Sequence, residues 1–214
     1  MKHFKIKIMK INIIGQEGSF GGFLKKELPK YGFEILPLSF PLPAESRVAI
    51  LAVPFSSYNE LARTICFAEW HKRDLLFVNV CSVQKPSTDI LLKYTDKVLS
   101  IHPLFGVRTP SDKRNSIWTH GEDNEFLVKW RNFSVTKDMR GIHGNGPENH
   151  DKLMARTHLQ AVLAAKQFQH IIKDTQDIPD ELIPQSFRLL RNFVQTLEDT
   201  PVGTISSILS NPYQ

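Results

Sequence analysis

The sequence predicts an α/β protein: a doubly wound parallel sheet followed by a small α-helical C-terminal segment. Three observations carry that reading. Continuous apolar runs such as "SRVAILAVP" and "DLLFVNV" alternate with helix-period segments over roughly the first 135 residues, and strands apolar on both faces belong to a sheet covered on both sides. A polar, glycine-rich connector, "TKDMRGIHGNGPENHD", then ends the alternation. Beyond it only helical periodicity remains.

The elements follow in order. "KINIIG" is a short apolar strand, and "SFGGFLKKELPKYG" a helix opening on glycines and closing at Pro29 and Gly32. "FEILPL" is a second strand, weakened by Pro37, and the run ending in Pro54 is the clearest buried strand. "SSYNELARTICFAEW" is a helix with Ser56 or Ser57 as its cap, "DLLFVNV" a strand, and "KPSTDILLKY" a helix with proline in its first turn. "KVLSI" is a strand that runs into "HPLFG"; "SIWTH", "EDNEFLVKWRNF" and "FSV" read as strand, helix and strand. "HDKLMARTHLQAVLAAKQFQHIIKD" reads as one long helix capped by Asp151, with His150 just before it and His158 two turns on; two further helices cover "IPDELIPQSFRLLRNFVQTLED" and "TPVGTISSILSN". The boundaries predicted are 1–140 for the sheet domain and 147–214 for the helical one.

Composition narrows the class. Of 214 residues, 41% are hydrophobic and 23% charged, which is ordinary for a folded, water-soluble chain. No apolar run approaches the ~20 residues needed to span a bilayer. The N-terminal run is interrupted by lysines and ends in glycines, so it reads as a strand rather than a leader. Cys66 and Cys81 lie in apolar surroundings, which suggests core thiols in a reducing, cytoplasmic setting. The net charge of +5 is scattered over short groups, so no nucleic-acid face is expected. The eight histidines show no ligand-type spacing, so no metal is expected.

The motifs give a candidate site. In "IIGQEGSFGGFL", Gly15, Gly18 and Gly21 lie between an apolar strand and a helix, where a dinucleotide pyrophosphate needs close backbone approach and a helix N-terminus. A tight turn alone would also explain the glycines. The pattern falls one residue short of G-x-G-x-x-G, with Gln16 at its first position and Glu17 close to the expected phosphates; Ser19 and Phe20 complete the turn. At the end of the second strand, where a ribose-binding acid would stand, is Ser39, so NAD and NADP are not distinguished. In a parallel sheet the ligand lies beyond the carboxyl ends of the strands, which places Pro54, Ser82 and His102 on one rim with the glycine turn. A histidine there, near its ordinary pKa of ~6.5, can take a proton from a substrate hydroxyl, with Ser82 bonded to the ring or to the substrate. The plainer reading is a loop histidine bonded to backbone carbonyls.

Taken together, "IIGQEGSFGGFL", "RVAILAVPFSS", "NVCSVQKP", "IHPLFG", "NHDKLMA" and "PQSFRLL" resemble, in order and spacing, the prephenate and arogenate dehydrogenases. "HPLFG" and "HDKLMA" are the specific parts. The resemblance implies a Rossmann-like NAD(P)-binding domain and a helical domain that forms a homodimer. It implies oxidation of a ring hydroxyl on a small cyclic carboxylic acid, with decarboxylation, as in tyrosine biosynthesis. His102 would be the base, Ser82 its assistant, and His150 part of the substrate pocket. Four departures stand out: Gln16; Ser39; Gln84, where the family has lysine; and Gln195, where it has an arginine that grips the substrate carboxylate. Arg188 and Arg191 lie nearby on other faces of that helix, and a second family histidine would fall near Val162. The chain stops at Gln214, where the family continues through further dimerisation helices. These departures keep a rival reading in view, a degenerate, non-catalytic binding or regulatory protein on the same fold.

Overall fold

The computed structural model describes residues 8–69, 74–139, 146–175 and 177–214, the side chains of 66–69 excepted. Cys66 therefore lies outside the described side chains, and the connector around Gly141 to Asn145 outside the described backbone. Seven strands form one sheet: β1 (Met9–Ile14), β2 (Phe33–Ile35), β3 (Val48–Leu51), β4 (Leu76–Asn79), β5 (Val98–Pro103), β6 (Asn115–His120) and β7 (Val135–Asp138), in the order β2-β1-β3-β4-β5-β6-β7. β1 to β5 are mutually parallel; α1 (Ser19–Glu27) joins β1 to β2, α2 (Tyr58–Glu69) β3 to β4 and α3 (Gln84–Leu92) β4 to β5, while residues 36–47 cross from β2 to β3 without a helix.

The sheet is not parallel throughout. β6 pairs antiparallel with β5, while β7 pairs parallel with β6 across α4 (Glu125–Phe133). The reason lies in the connection: a parallel return needs a crossover, most often a helix, and residues 104–114 supply only one 3-10 turn, Ser111–Lys113. β2 is also shorter than the run that predicts it. The Leu36 N–H still donates to the Ile11 carbonyl at 2.8 Å, but Pro37 has no N–H to continue the ladder.

Both faces are covered, as continuous apolar strands require. Ile11, Ile13, Leu99 and Ile101 pack with Leu24 of α1 and Phe126 and Trp130 of α4. Ile14, Ala49, Leu51 and Val98 pack with Tyr58 and Ala62 of α2 and Ile90 and Leu91 of α3 on the other face. Four helices follow: α5 (Gly146–Arg156), α6 (His158–Lys173), α7 (Gln185–Glu198) and α8 (Val202–Leu209). The single long helix expected after the connector is thus two, divided at Thr157, whose hydroxyl donates to the Leu153 carbonyl. α5 starts at Gly146 and Pro147, so Asp151 is not its cap but lies in its second turn. Ala155, Leu159, Val162 and Ile208 form the core of this segment. Its last helix also reaches the sheet: Ser207 Oγ accepts the Phe55 N–H at 3.1 Å, and Gly203 packs on Pro54. Among the described residues no helix is long and apolar enough to cross a membrane.

Candidate active site

β1, β3, β4 and β5 run parallel side by side, so their carboxyl ends share one edge of the sheet. Gly15 follows β1, Pro54 lies past β3, Ser82 past β4, and His102 is the last residue but one of β5. The rim expected from sequence is therefore built. β2 and β3 leave β1 on opposite sides, and that reversal opens a crevice at the strand ends.

The glycine turn is shaped by close approach. Gly15 has φ +90°, and a Cβ there would stand 2.9 Å from both the Ala52 carbonyl carbon and Val53 Cγ1. The Gly18 N–H donates to the Gly15 carbonyl at 2.9 Å, and a Cβ on Gly21 would lie 2.6 Å from the Gly15 carbonyl carbon. Gly18 precedes α1 without a side-chain cap, and Gly18 and Ser19 are exposed, so the helix start is open to an anion. The Glu17 carboxylate is 85% exposed and pairs with Lys25 at 3.7 Å, so it does not fill the turn. Gln16 is half-buried beside it. Phe20 stacks on Phe23 and meets Phe105 at 6.0 Å, which joins the turn to the loop after His102. Ser39 is exposed and donates to the Pro41 carbonyl at 3.1 Å.

At the far side of the edge lies a cluster of histidines. His102 is 2% exposed. Alternation along β5 turns it, with Ser100 and Val98, towards α3, while Leu99 and Ile101 face α1 and α4. Its Nδ1 lies 2.8 Å from Nε2 of His150 on α5, with the rings almost perpendicular. His150 Nδ1 in turn lies 2.8 Å from Asp151 Oδ1. The Asp151 carboxylate also accepts the N–H groups of Gln84 at 2.9 Å and Lys85 at 2.7 Å, and so caps α3 rather than its own helix. His158, the first residue of α6, stacks on His102 at 6.3 Å between centroids. Nε2 of His102 has no hydrogen-bond partner among the described residues.

Two sequence expectations change here. His102 does not sit near the ordinary histidine pKa: burial, reinforced by His150 and His158, pushes it well below. His150 is wholly buried with both ring nitrogens engaged, so it forms no wall of a substrate pocket, and it holds Nδ1 of His102. Val162, near which the second family histidine would fall, is buried among the helices, and His158 is the second imidazole that meets His102. Its place at a helix start follows from the break at the β-branched Thr157.

A buried neutral imidazole also affects stability. The unfolded chain binds a proton below about pH 6.5, and the folded chain does not until far lower pH, so stability is complete above that value and is lost as pH falls. Urea unfolding at successive pH values should show this loss, with a slope of up to about 1.4 kcal/mol per pH unit from one such ring. The His102→Asn variant should show the shallower profile.

No protein-family model matches the sequence, and no curated protein matches it. Solved structures do. The prephenate dehydrogenase of Aquifex aeolicus, in complex with hydroxyphenyl propionate and NAD+, aligns with a TM-score of 0.63 at 17% identity, over 97% of this chain and 84% of that one. Synechocystis arogenate dehydrogenase aligns at 0.59 and 15% identity, over 95% and 86%. The fold is that of the prephenate and arogenate dehydrogenases. It extends to other nicotinamide enzymes: Plasmodium falciparum pyrroline carboxylate reductase, with NADP bound, aligns at 0.53 and 9% identity, over 97% and 86%.

Within this dehydrogenase fold, the expected substrate residues of α7 have other partners. Arg188 donates to the carbonyls of Ile183 and Asp180 and, with Arg191, Asp180 and Asn192, lines a surface pocket of its own. Gln195 donates to Asp199, which pairs with Arg108 of the loop after β5 at 2.9 Å. Neither Arg188 nor Gln195 touches the histidine cluster among the described residues. Gln84, the other departure, is fully buried; its side chain donates to the Cys81 carbonyl and accepts from Thr119. A lysine there would offer Thr119 no acceptor.

Proposed function

We propose that this chain is an NAD(P)-dependent dehydrogenase of the prephenate type, which oxidises the ring hydroxyl of prephenate, arogenate or a related cyclic hydroxy acid. The observation that carries the reading is His102: one nitrogen tethered, the other without a partner among the described residues, on the sheet edge that bears the glycine turn. The residues present fit a dinucleotide. Gly15 and Gly21 occupy places that a Cβ would fill, and the start of α1 is uncapped and exposed. Gly15, Gln16, Gly18, Ser19, Phe20 and Gly21 would hold the pyrophosphate, Ser39 the ribose, and Pro54 and Ser82 the nicotinamide half.

The bound nicotinamide supplies the hydride acceptor. His102 Nε2 takes the hydroxyl proton, and Ser82 orients that hydroxyl. A ring kept neutral by burial is always in the form that can accept a proton, so the chain provides position and a dry surrounding for the step. Aromatisation of the product ring then drives loss of carboxylate.

Calorimetric titration with NAD+ and NADP+, paired with reduced-cofactor absorbance in the presence of prephenate or arogenate, tests the reading. Micromolar binding of one dinucleotide is expected, adding about 2.7 kcal/mol of stability at a hundred times its Kd. Absence of binding by both would favour the non-catalytic reading, which the neutral, exposed Ser39 supports.

We also infer a homodimer through the C-terminal helices. Only Val194 of α7 is buried, while Leu189 is 64% and Phe193 39% exposed, and Leu182 and Val202 of the same segment are exposed as well. Light scattering at micromolar concentration should give twice the chain mass, and Leu189→Glu together with Phe193→Glu should give the single mass.

A further inference from the structure

We propose that His150 and Asp151 form a proton relay behind His102, so that the proton taken at His102 Nε2 leaves its charge on His150 beside the Asp151 carboxylate. This deepens the dehydrogenase reading and rests on it for the identity of the proton donor; the relay geometry itself does not.

The argument is a chain of donors and acceptors. Asp151 already accepts two backbone N–H groups, from Gln84 and Lys85, so towards His150 it is again the acceptor and His150 Nδ1 carries the hydrogen. In the neutral ring Nε2 is then the acceptor, and it faces His102 Nδ1 at 2.8 Å, so His102 Nδ1 carries the hydrogen. That leaves the lone pair of His102 on Nε2, the nitrogen with no described partner. One carboxylate thus fixes the tautomers of two rings.

The same chain answers a difficulty raised by burial. His102 is enclosed and faces two other imidazoles, so a positive charge held there is strongly disfavoured. The charge has a better place. As the O–H bond of the substrate breaks, the proton binds His102 Nε2; the Nδ1 hydrogen of His102 passes to His150 Nε2; and His150 becomes the imidazolium, bonded through Nδ1 to Asp151. His102 ends neutral with its hydrogen on the other nitrogen, and no proton is gained or lost by the pair beyond the one received. Among the described residues, the titratable groups around the pair are Asp151 on α5, His158 on α6 and Cys81 beyond β4. Burial lifts the Cys81 thiol to about 11, so it stays uncharged.

Two measurements test the proposal, one free of activity. In protein labelled with nitrogen-15 at histidine, long-range proton–nitrogen spectra near neutral pH should show His102 and His150 both hydrogenated at Nδ1. On acidification His150 should become doubly protonated as His102 switches to Nε2–H, in one step. His102 hydrogenated at Nε2 at neutral pH, or charging independently of His150, would overturn the relay whether or not prephenate is the substrate. The second uses His150→Gln, whose side-chain oxygen can accept from His102 Nδ1 but cannot take its proton. We expect kcat to fall about a hundredfold with KM within threefold, and the acid limb of the kcat profile to move. Unchanged kcat and profile in this variant would reduce His150 to a packing residue.

Discussion

On the proposed function, replacing His102 with asparagine should lower kcat by about a thousandfold and leave dinucleotide affinity within a fewfold, as loss of a positioned base does. Asparagine keeps a nitrogen donor near the place of Nδ1, so the bond to His150 Nε2 can survive while the accepting Nε2 is lost. The fold should tolerate the change, because the partner in α5 is not left without a bond. Stopped-flow measurement of cofactor reduction, beside calorimetric affinity for the dinucleotide, separates the two effects. Near-wild-type hydride transfer in a folded His102→Asn protein would remove His102 from the chemistry and leave the edge of the sheet without a base.

A second large effect is expected at Gly21, and its sign is unusual. In the middle of a helix, glycine to alanine ordinarily stabilises by about 1 kcal/mol. Gly21 lies in α1, but a methyl group there would press into the main chain of Gly15, which is itself held at φ +90° against Ala52 and Val53. The atoms a Gly21 methyl would meet, in Gly15 and Gln16, are all main chain and cannot swing away. Gly21→Ala should therefore destabilise by about 2 kcal/mol and weaken dinucleotide binding, because α1 must retreat from the turn. Gly22→Ala is the control: its nearest neighbour would be the Gln16 carbonyl oxygen at 3.3 Å, so it should fold as well as the parent. Chemical denaturation of both variants decides the matter, and a Gly21→Ala protein more stable than the parent would show that the turn is looser than described.

Much of this architecture could be read from the chain, because its signals are local. Apolar runs marked β1 to β6, and prolines and glycines most of their ends; β7, the polar run Val135–Asp138, shares only Val135 with the "FSV" read as a strand. What could not be read depends on distant parts of the chain. The direction of β6 follows from the lack of a crossover helix in residues 104–114, a segment whose polarity said loop but not which way the next strand would run. Asp151 looked like a cap and is one, but for α3, some 66 residues earlier in the chain. Pro147 marked the true start of α5, and a first-turn proline outweighs a good capping residue later on. His102 was legible as a member of the rim. Its basicity was not, since that depends on enclosure by α5 and α6, which no short window of sequence contains.

The Asn211 side chain clasps the main-chain carbonyl of Asp151 at 2.9 Å. The tail of the chain is thus a buttress: by steadying the middle turn of α5 it keeps two imidazoles in register across a gap of one hydrogen bond. On the proposed relay, disturbance at the carboxyl terminus should slow the proton step as well as loosen the helix.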